Sequence, residues 1–327
     1  MAPRSLFDAR TLLTTVALVL ASLPTLSLGA RRLPGQLAEA TAPPRDEMSY
    51  HGGAVLRGEI PVSIVWYGQF KPAQKAIVVD FLLSLTSVTV DATPSAAQWW
   101  GTIDRAYLFN VSASGGASNA TTTRVVLAGQ VADEQYSLGK SLTLVEVFQL
   151  AAALVPGDGA LVLVLTDPGV VVEGFCSARC GLHGSGEAAG ARRYAYVWVG
   201  NAGSQCPGQC AWPFAEPAYG PRGQPPLAPP NGDVGVDGMV VTLASMVAGA
   251  VTDPRGDGYY EGARDAALEA CTACAGKFGS GAYPGYPGKV LVDDTTGGSY
   301  NAVGANGRKY LLPAVFDPAT SACSTLV

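Results

Sequence analysis

Histidine and charge are the scarcest materials in this chain. Two histidines occur in 327 residues, and Asp, Glu, Lys and Arg together make up only 14% of them. So few imidazoles leave little from which to build a His-rich metal centre or a histidine-based catalytic relay. The net charge of -5 comes without any block of Lys or Arg, so nothing in the chain is laid out to neutralise phosphates and nucleic acid is not an expected partner. A Gly-x-Ser-x-Gly nucleophile elbow is absent. "GSGEAAG" and "GSGAYPG" lack the strand-turn-helix setting that such an elbow needs. The acidic stretches "NGD" and "DPRGDGYYEG" do not have EF-hand ligand spacing. No cofactor is expected.

Long apolar runs are also rare. The exception opens the chain, where "TLLTTVALVLASLPTLSLGA" (Thr11 to Ala30) carries no charge. Arg4 and Arg10 precede or begin it, Pro24 breaks it, small residues end it, and Arg31-Arg32 follow. This is the layout of a cleaved secretory signal over residues 1–30, with cut after Gly29 or Ala30. After it, no segment reads as both long and apolar enough to span a bilayer, so no membrane contact is expected once the signal is removed. Residues 31–48, "RRLPGQLAEATAPPRDEM", are polar and proline-bearing and read as a flexible leader. Residues 49–327 carry no break in composition and predict one domain, with length enough for a substantial core. Two sequons, at Asn110 and Asn119, sit in a Ser/Gly/Thr-rich stretch and are candidates for N-glycosylation in a secreted chain.

What is abundant is glycine (40), proline (23) and apolar residues (48%). They are arranged as alternating strand and helix signals. "EIPVSIVWYG" (Glu59 to Gly68) predicts a buried strand, and "KPAQKAIVVDFLLSLT" a helix with Pro72 in its first turn and Ile77, Phe81 and Leu85 on one face. "PSAAQWWGTIDRAYL" predicts a helix in which Trp99 and Trp100 are core anchors rather than a sugar platform. "TRVVLAGQV" predicts a strand. "SLTLVEVFQLAAAL" predicts an amphipathic helix with Leu144, Phe148 and Ala151 together. "GALVLVLT" is apolar throughout, as a central strand covered on both faces requires. "RRYAYVWVG" alternates around Tyr194, Tyr196 and Trp198. "VDGMVVTLASMVAGAV" (Val236 to Val251) predicts a buried helix, and the later sequence reads as turns and short strands. The expected fold class is α/β (mixed α+β): a central mixed sheet flanked by helices, loop-rich and stapled by disulfides.

The seven cysteines carry the staples. "CSARC" and "CPGQC" are two Cys-x-x-x-Cys pairs, within the spacing of zinc knuckles, but an oxidising compartment favours disulfides over four free thiolates. Cys271-Thr-Ala-Cys274 looks like a redox pair, yet "DAALEACTACAGKFGSG" reads as the tail of a helix running into a glycine loop, without the strand that a thioredoxin motif follows. One thiol of seven is left over. Connectivity stays open, since six cysteines allow fifteen pairings.

Catalytic candidates are thin. In "LASMVAGAVTDP" the frame is that of a zinc-peptidase helix, but Ser245 and Met246 stand where His and Glu belong, and Ala248 and Gly249 offer no later ligand. This reads as a packed helix or an inactivated scaffold. His51 and His183 each read as structural hydrogen-bonding groups in a glycine loop. Asp233, Asp237, Asp253 and Asp257 could pair as the carboxyls of a glycoside hydrolase, although helix capping and loop bonding are their more ordinary roles. Trp212, Tyr259, Tyr260, Tyr283 and Tyr286, in "AWPF", "DGYYEG" and "AYPGYPG", are the candidate contact surface.

The stretches "VWYGQFKPAQKAIVVDF", "GFCSARCGLHG", "CPGQCAWPF", "APPNGDVGVDGMVVTLASMVAGAVTDPRGDGYYEG", "FGSGAYPGYPGKVLVD" and "GRKYLLPAVFDPATSACSTLV" resemble the plant EXORDIUM / phosphate-induced protein 1 family, from about Tyr50 to Val327. The resemblance implies a protein secreted to the apoplast and cell wall and tied to cell expansion, hormone-responsive growth and carbon status. It carries over no specific catalytic activity; a wall polymer or a cell-surface receptor, met by the aromatic, glycine-rich segments, is the expected partner of a non-catalytic factor, against the alternative of a wall hydrolase. The resemblance also implies that Cys176, Cys180, Cys206, Cys210, Cys274 and Cys323 are the disulfide cysteines, and that Cys271 is the unpaired thiol.

Overall fold

The computed structural model describes residues 47–87, 93–109, 122–188, 190–221 and 224–327. The signal segment, nearly all of the leader, and both sequons lie outside these residues. A five-stranded sheet forms the centre. Its strands are β1 (Glu59–Tyr67), β2 (Arg124–Asp133), β3 (Ala160–Thr166), β4 (Gly181–Ala188) and β5 (Arg192–Gly200). They lie in the order β2-β1-β3-β5-β4, the first four parallel and β4 antiparallel to β5.

The two-residue period of each strand sends its side chains to two separate cores. Ile60, Val62, Ile64 and Trp66 of β1, Leu161, Leu163 and Leu165 of β3, and Ala195, Val197 and Val199 of β5 meet on one face. There they pack against helix α1 (Pro72–Leu85), α2 (Ala96–Ile103) and the long α4 (Val234–Thr252). Val65 and Tyr67, Val162 and Val164, and Tyr194 and Trp198 face the other way, under α3 (Leu144–Ala152). All seven residues of β3 are buried, which is why that strand reads as an unbroken apolar run.

Local chemistry sets the helix starts. Ser95 and Gln98 form a reciprocal capping box on α2: Gln98 N–H donates to Ser95 Oγ at 3.2 Å, and Ser95 N–H to Gln98 Oε1 at 2.9 Å. Thr143 and Glu146 do the same on α3, at 3.3 and 2.7 Å. Beyond Ile103 the chain widens into a π turn over Asp104–Leu108, where the N–H of Phe109 reaches back five residues to Asp104 O. Trp99 and Trp100 are both buried in the core. The apolar face of α3 is centred on Val147, Leu150 and Ala151, with Leu144 and Phe148 only partly buried at its edge.

Three expectations are corrected. The "DAALEACTACAGKFGSG" stretch holds no α-helical tail. It makes two short 3-10 turns, Arg264–Ala266 and Thr272–Cys274, and the backbone of Leu268 exchanges hydrogen bonds with Glu261 instead of with a preceding helical turn. His183 lies in strand β4 rather than in a glycine loop. The glycines that hide this strand, Gly184 and Gly186, sit against the rings of Tyr196 and Tyr194. Finally, Val234–Thr252 is long and apolar enough by length and composition to cross a membrane, and the fold buries most of it.

Candidate functional site

In open parallel sheets the usual ligand position is the crevice where helical connections switch from one face to the other, here beyond the ends of β1 and β3. That crevice is occupied by the protein's own hydrogen bonds. The buried Asp167 carboxylate, just after β3, accepts from Gln69 N–H (2.6 Å), Tyr136 Oη (2.7 Å) and Gly169 N–H (2.8 Å). The bond to Asp167 holds the Tyr136 hydroxyl above its ordinary pKa.

The acidic candidates are likewise engaged in structure. Asp233 caps α4, accepting from Val236 N–H at 3.0 Å and from Gln74 Nε2 at 2.8 Å. Asp237 is buried in the first turn of α4 and accepts from the backbone and side-chain nitrogens of Asn231 (2.9 and 2.6 Å). Desolvation by burial raises its pKa to about 6, against the lowering effect of those bonds. Asp253 accepts from Gly258 N–H at 2.6 Å, and burial raises its pKa as well. Oδ1 of Asp257 is buried without a partner among the described residues. None of the four lines any of the hollows described below.

The two histidines sit apart. His51 stacks on Tyr260 at 3.7 Å, and its Nε2 lies 3.2 Å from Ser49 Oγ and from Tyr260 O. His183 Nε2 lies 2.8 Å from both carboxylate oxygens of Glu269, with both side chains nearly enclosed. Its Nδ1 is buried without a partner among the described residues. The pair therefore ties β4 to the segment after α4, and the Asp253 carboxyl interacts electrostatically with both of its members. A Cβ on Gly249 would meet Glu269 Oε2 at 2.1 Å and His183 Nε2 at 2.6 Å. The helix position that lacks a ligand in the zinc-peptidase frame is thus the one covered by this pair. Ser245 donates to Val241 O, within its own helix. Among the described residues no group of three or more His, Cys, Asp or Glu could hold a metal ion.

Among the described residues, open hollows lie around Trp212. Disulfides Cys176–Cys206 and Cys180–Cys210 join the two Cys-x-x-x-Cys pairs rung by rung, and Cys274–Cys323 ties the C-terminus. Cys271 is free and buried, with its thiol pKa pushed up by desolvation. The first two bridges fix the single helical turn Pro207–Cys210, and Trp212 follows its C-cap, Ala211. Its ring packs near Phe278 (centroids 5.9 Å apart) and over Gly276. Tyr283-Pro-Gly-Tyr286 forms a two-residue turn whose end residues exchange N–H···O bonds of 3.0 and 2.8 Å and set their rings 5.1 Å apart. Gly285, at φ +88°, supplies the left-handed position, and its missing Cβ leaves room for Pro221.

Three adjoining hollows share Trp212. The largest, about 690 Å³, runs between Trp212, Pro217, Tyr219, Pro221, Lys277 and Tyr283; the others measure about 240 Å³ each. Among the described residues their lining includes one charged side chain, Lys277, and no carboxylate. Tyr219 is 83% exposed and Tyr283 59%. The candidate aromatics therefore divide. Trp212, Tyr283 and Tyr286 come together. Tyr259 does not join them: it pairs with Tyr50 in a short ladder, stacks edge-on against Tyr107 and is only 9% exposed, so it is a core residue. Tyr260 neighbours it under His51. Sequence reading missed Tyr219, which the proline-rich loop carries without any periodic signal.

Comparison with known proteins adds a family. The model of the phosphate-induced protein 1 conserved region matches residues 48–326. Protein EXORDIUM-like 1 of Arabidopsis thaliana is 53% identical over 286 residues, 85% of this chain and 89% of that protein. Protein PHOSPHATE-INDUCED 1 of Nicotiana tabacum is 53% identical over 290 residues (87% and 90%), and Protein EXORDIUM of Arabidopsis thaliana 49% over 314 (94% and 96%). No solved structure matches.

Proposed function

Because the chain belongs to the phosphate-induced protein 1 family, together with the EXORDIUM proteins, we propose that it is a secreted protein of the apoplast and cell wall. In this reading it regulates cell expansion and growth by binding, without catalysis, a wall polymer or a cell-surface receptor. The observation that carries the proposal is the groove around Trp212, which offers exposed aromatic rings and no carboxylate among its described lining residues. Aromatic rings present large contact area at low entropic cost and dominate binding surfaces. Glycoside hydrolysis of the usual kind would instead need two carboxyls across a cleft. The three disulfides support an oxidising destination, in keeping with the apolar run at the chain start.

The test expresses the full chain in plant cells deficient in its relatives. The protein should appear in the apoplastic wash and restore cell expansion, and a Trp212→Ala/Tyr219→Ala/Tyr283→Ala variant secreted in equal amount should not. Retention inside the cell, or full restoration by the triple variant, would overturn the proposal.

A further inference from the structure

Five tryptophans are present, and four of them direct their indole N–H at a partner inside the protein. Trp66 donates to Gln130 Oε1 (2.9 Å), Trp99 to Pro313 O (2.7 Å), Trp100 to Thr123 O (2.8 Å) and Trp198 to Thr166 Oγ1 (3.2 Å). Trp212, which lines all three hollows, has no such partner among the described residues. The hydroxyls of Tyr219 and Tyr283, beside it, are likewise without a partner among them. Lys277 adds an ammonium at the same groove, one donor of which lies 3.5 Å from Cys323 Sγ. The side chains of the main groove are thus apolar plates with several donors and, apart from the Gln209 amide and the tyrosine oxygens, few acceptors.

That imbalance selects a ligand. A sugar ring presents hydroxyls, each a donor as well as an acceptor, and calls for acceptors in its site. A proline-rich strand in the polyproline II conformation presents carbonyl acceptors and flat pyrrolidine faces, and its prolines have no N–H to satisfy. Aromatic grooves that take such strands exploit a conformation already formed, which lowers the ordering cost. We propose that the partner bound in the Trp212 groove is a proline-rich polypeptide segment in the polyproline II conformation, a carbonyl of which accepts the Trp212 indole N–H while its rings pack against Tyr219 and Tyr283. This rests on the reading of the groove as the binding surface and narrows it to one ligand class.

The experiment titrates the full secreted chain, by calorimetry, with decaproline, with a Gly/Ser decapeptide, and with cellohexaose. Decaproline should bind and the Gly/Ser peptide should not. Trp212→Phe, which keeps an aromatic ring but removes the donor, should weaken binding by about tenfold, and Tyr219→Ala by about threefold. Tyr219 is exposed, so its variant keeps the test alive if Trp212→Phe perturbs the fold. Decaproline binding that neither substitution weakens overturns the assignment. Binding of cellohexaose alone, sensitive to Trp212→Phe, overturns it while leaving the broader reading of the groove in place. Binding of neither probe, with self-association of the chain that Trp212→Phe abolishes, puts a second copy in the groove and overturns it too. Binding of neither probe without self-association removes both the assignment and the groove-based reading beneath it.

Discussion

Residues 59–200 and the chain after them are held together differently. The earlier part hangs on five strands whose side chains alternate between two apolar cores. The later part, helix α4 aside, has strands of two or three residues, isolated bridges, glycine turns and covalent ties. In the first region the hydrophobic effect fixes the backbone, and the polar atoms of its tryptophans are satisfied inside. In the second, short buried stretches around Phe214, Phe278, Tyr310 and Leu311 are joined by cross-links and turns, and other large rings such as Tyr219 and Tyr283 face outward. A surface for binding is therefore found where some of the aromatics are left over from the core.

The comparison is tested most sharply by removing one anchor from each region. Phe81 is fully buried and contacts Trp99 and Tyr310. Phe81→Ala should lower unfolding free energy by about 4 kcal/mol through lost transfer energy plus a cavity, as read by urea denaturation with or without reductant. An effect below about 1 kcal/mol would break the picture of a packed sheet-and-helix core.

Cross-linking should govern the other region. Cys274–Cys323 closes a loop of sequence separation 49. On the chain-entropy account its loss in Cys274→Ser/Cys323→Ser costs about 4 kcal/mol. Reductant should destabilise the wild type and affect the double variant less. If the variant unfolds at the wild-type denaturant midpoint, the later region is held by packing after all.

The same division governs how far the sequence could be read. Strand β3 and helix α4 were legible because full burial leaves long apolar runs, and helix α1 because Ile77, Phe81 and Leu85 repeat on one face; the capping boxes of Ser95 and Thr143 stand in the sequence at their fixed spacing but were not read from it. Strand β4 was not, since "GLHGSGEA" has glycine where strand-formers are expected, and aromatic rings of β5 fill the space. The groove was half legible. Trp212, Tyr283 and Tyr286 stand out as aromatics among glycine and proline, but only the tertiary path separates them from Tyr259, whose neighbouring sequence looks the same. The pairing of the cysteines, and that of His183 with Glu269 across 86 positions, is non-local and leaves no trace in spacing.

A third test concerns the junction of the two regions, where Asp237 joins α4 to Asn231 and, through Asn231, to Arg308. Its carboxyl titrates at about 6 in the folded protein against an ordinary 3.8, so the native state binds the proton more tightly than the unfolded chain. The stability this confers is present at low pH and is lost as pH rises from about 4 through 6. Its magnitude is on the order of 2 to 3 kcal/mol. Asp237→Asn should flatten that part of the stability profile, whatever its effect on absolute stability. A profile unchanged between pH 4 and 7 would mean that the carboxyl titrates normally.

The smallest expected effect is also the most telling for function. Tyr219 is 83% exposed and Tyr283 59%, so replacing either by alanine removes little buried area and no hydrogen bond made by its hydroxyl to a described residue. Each substitution should change unfolding free energy by less than about 0.5 kcal/mol. The double variant should equal the sum of the two, unless the rings touch a shared partner. Thermal melts of the three variants beside wild type decide it. A loss of 2 kcal/mol or more from either ring would make these aromatics part of what holds the later region together, and the groove would then be a seam of the fold instead of a place for a partner.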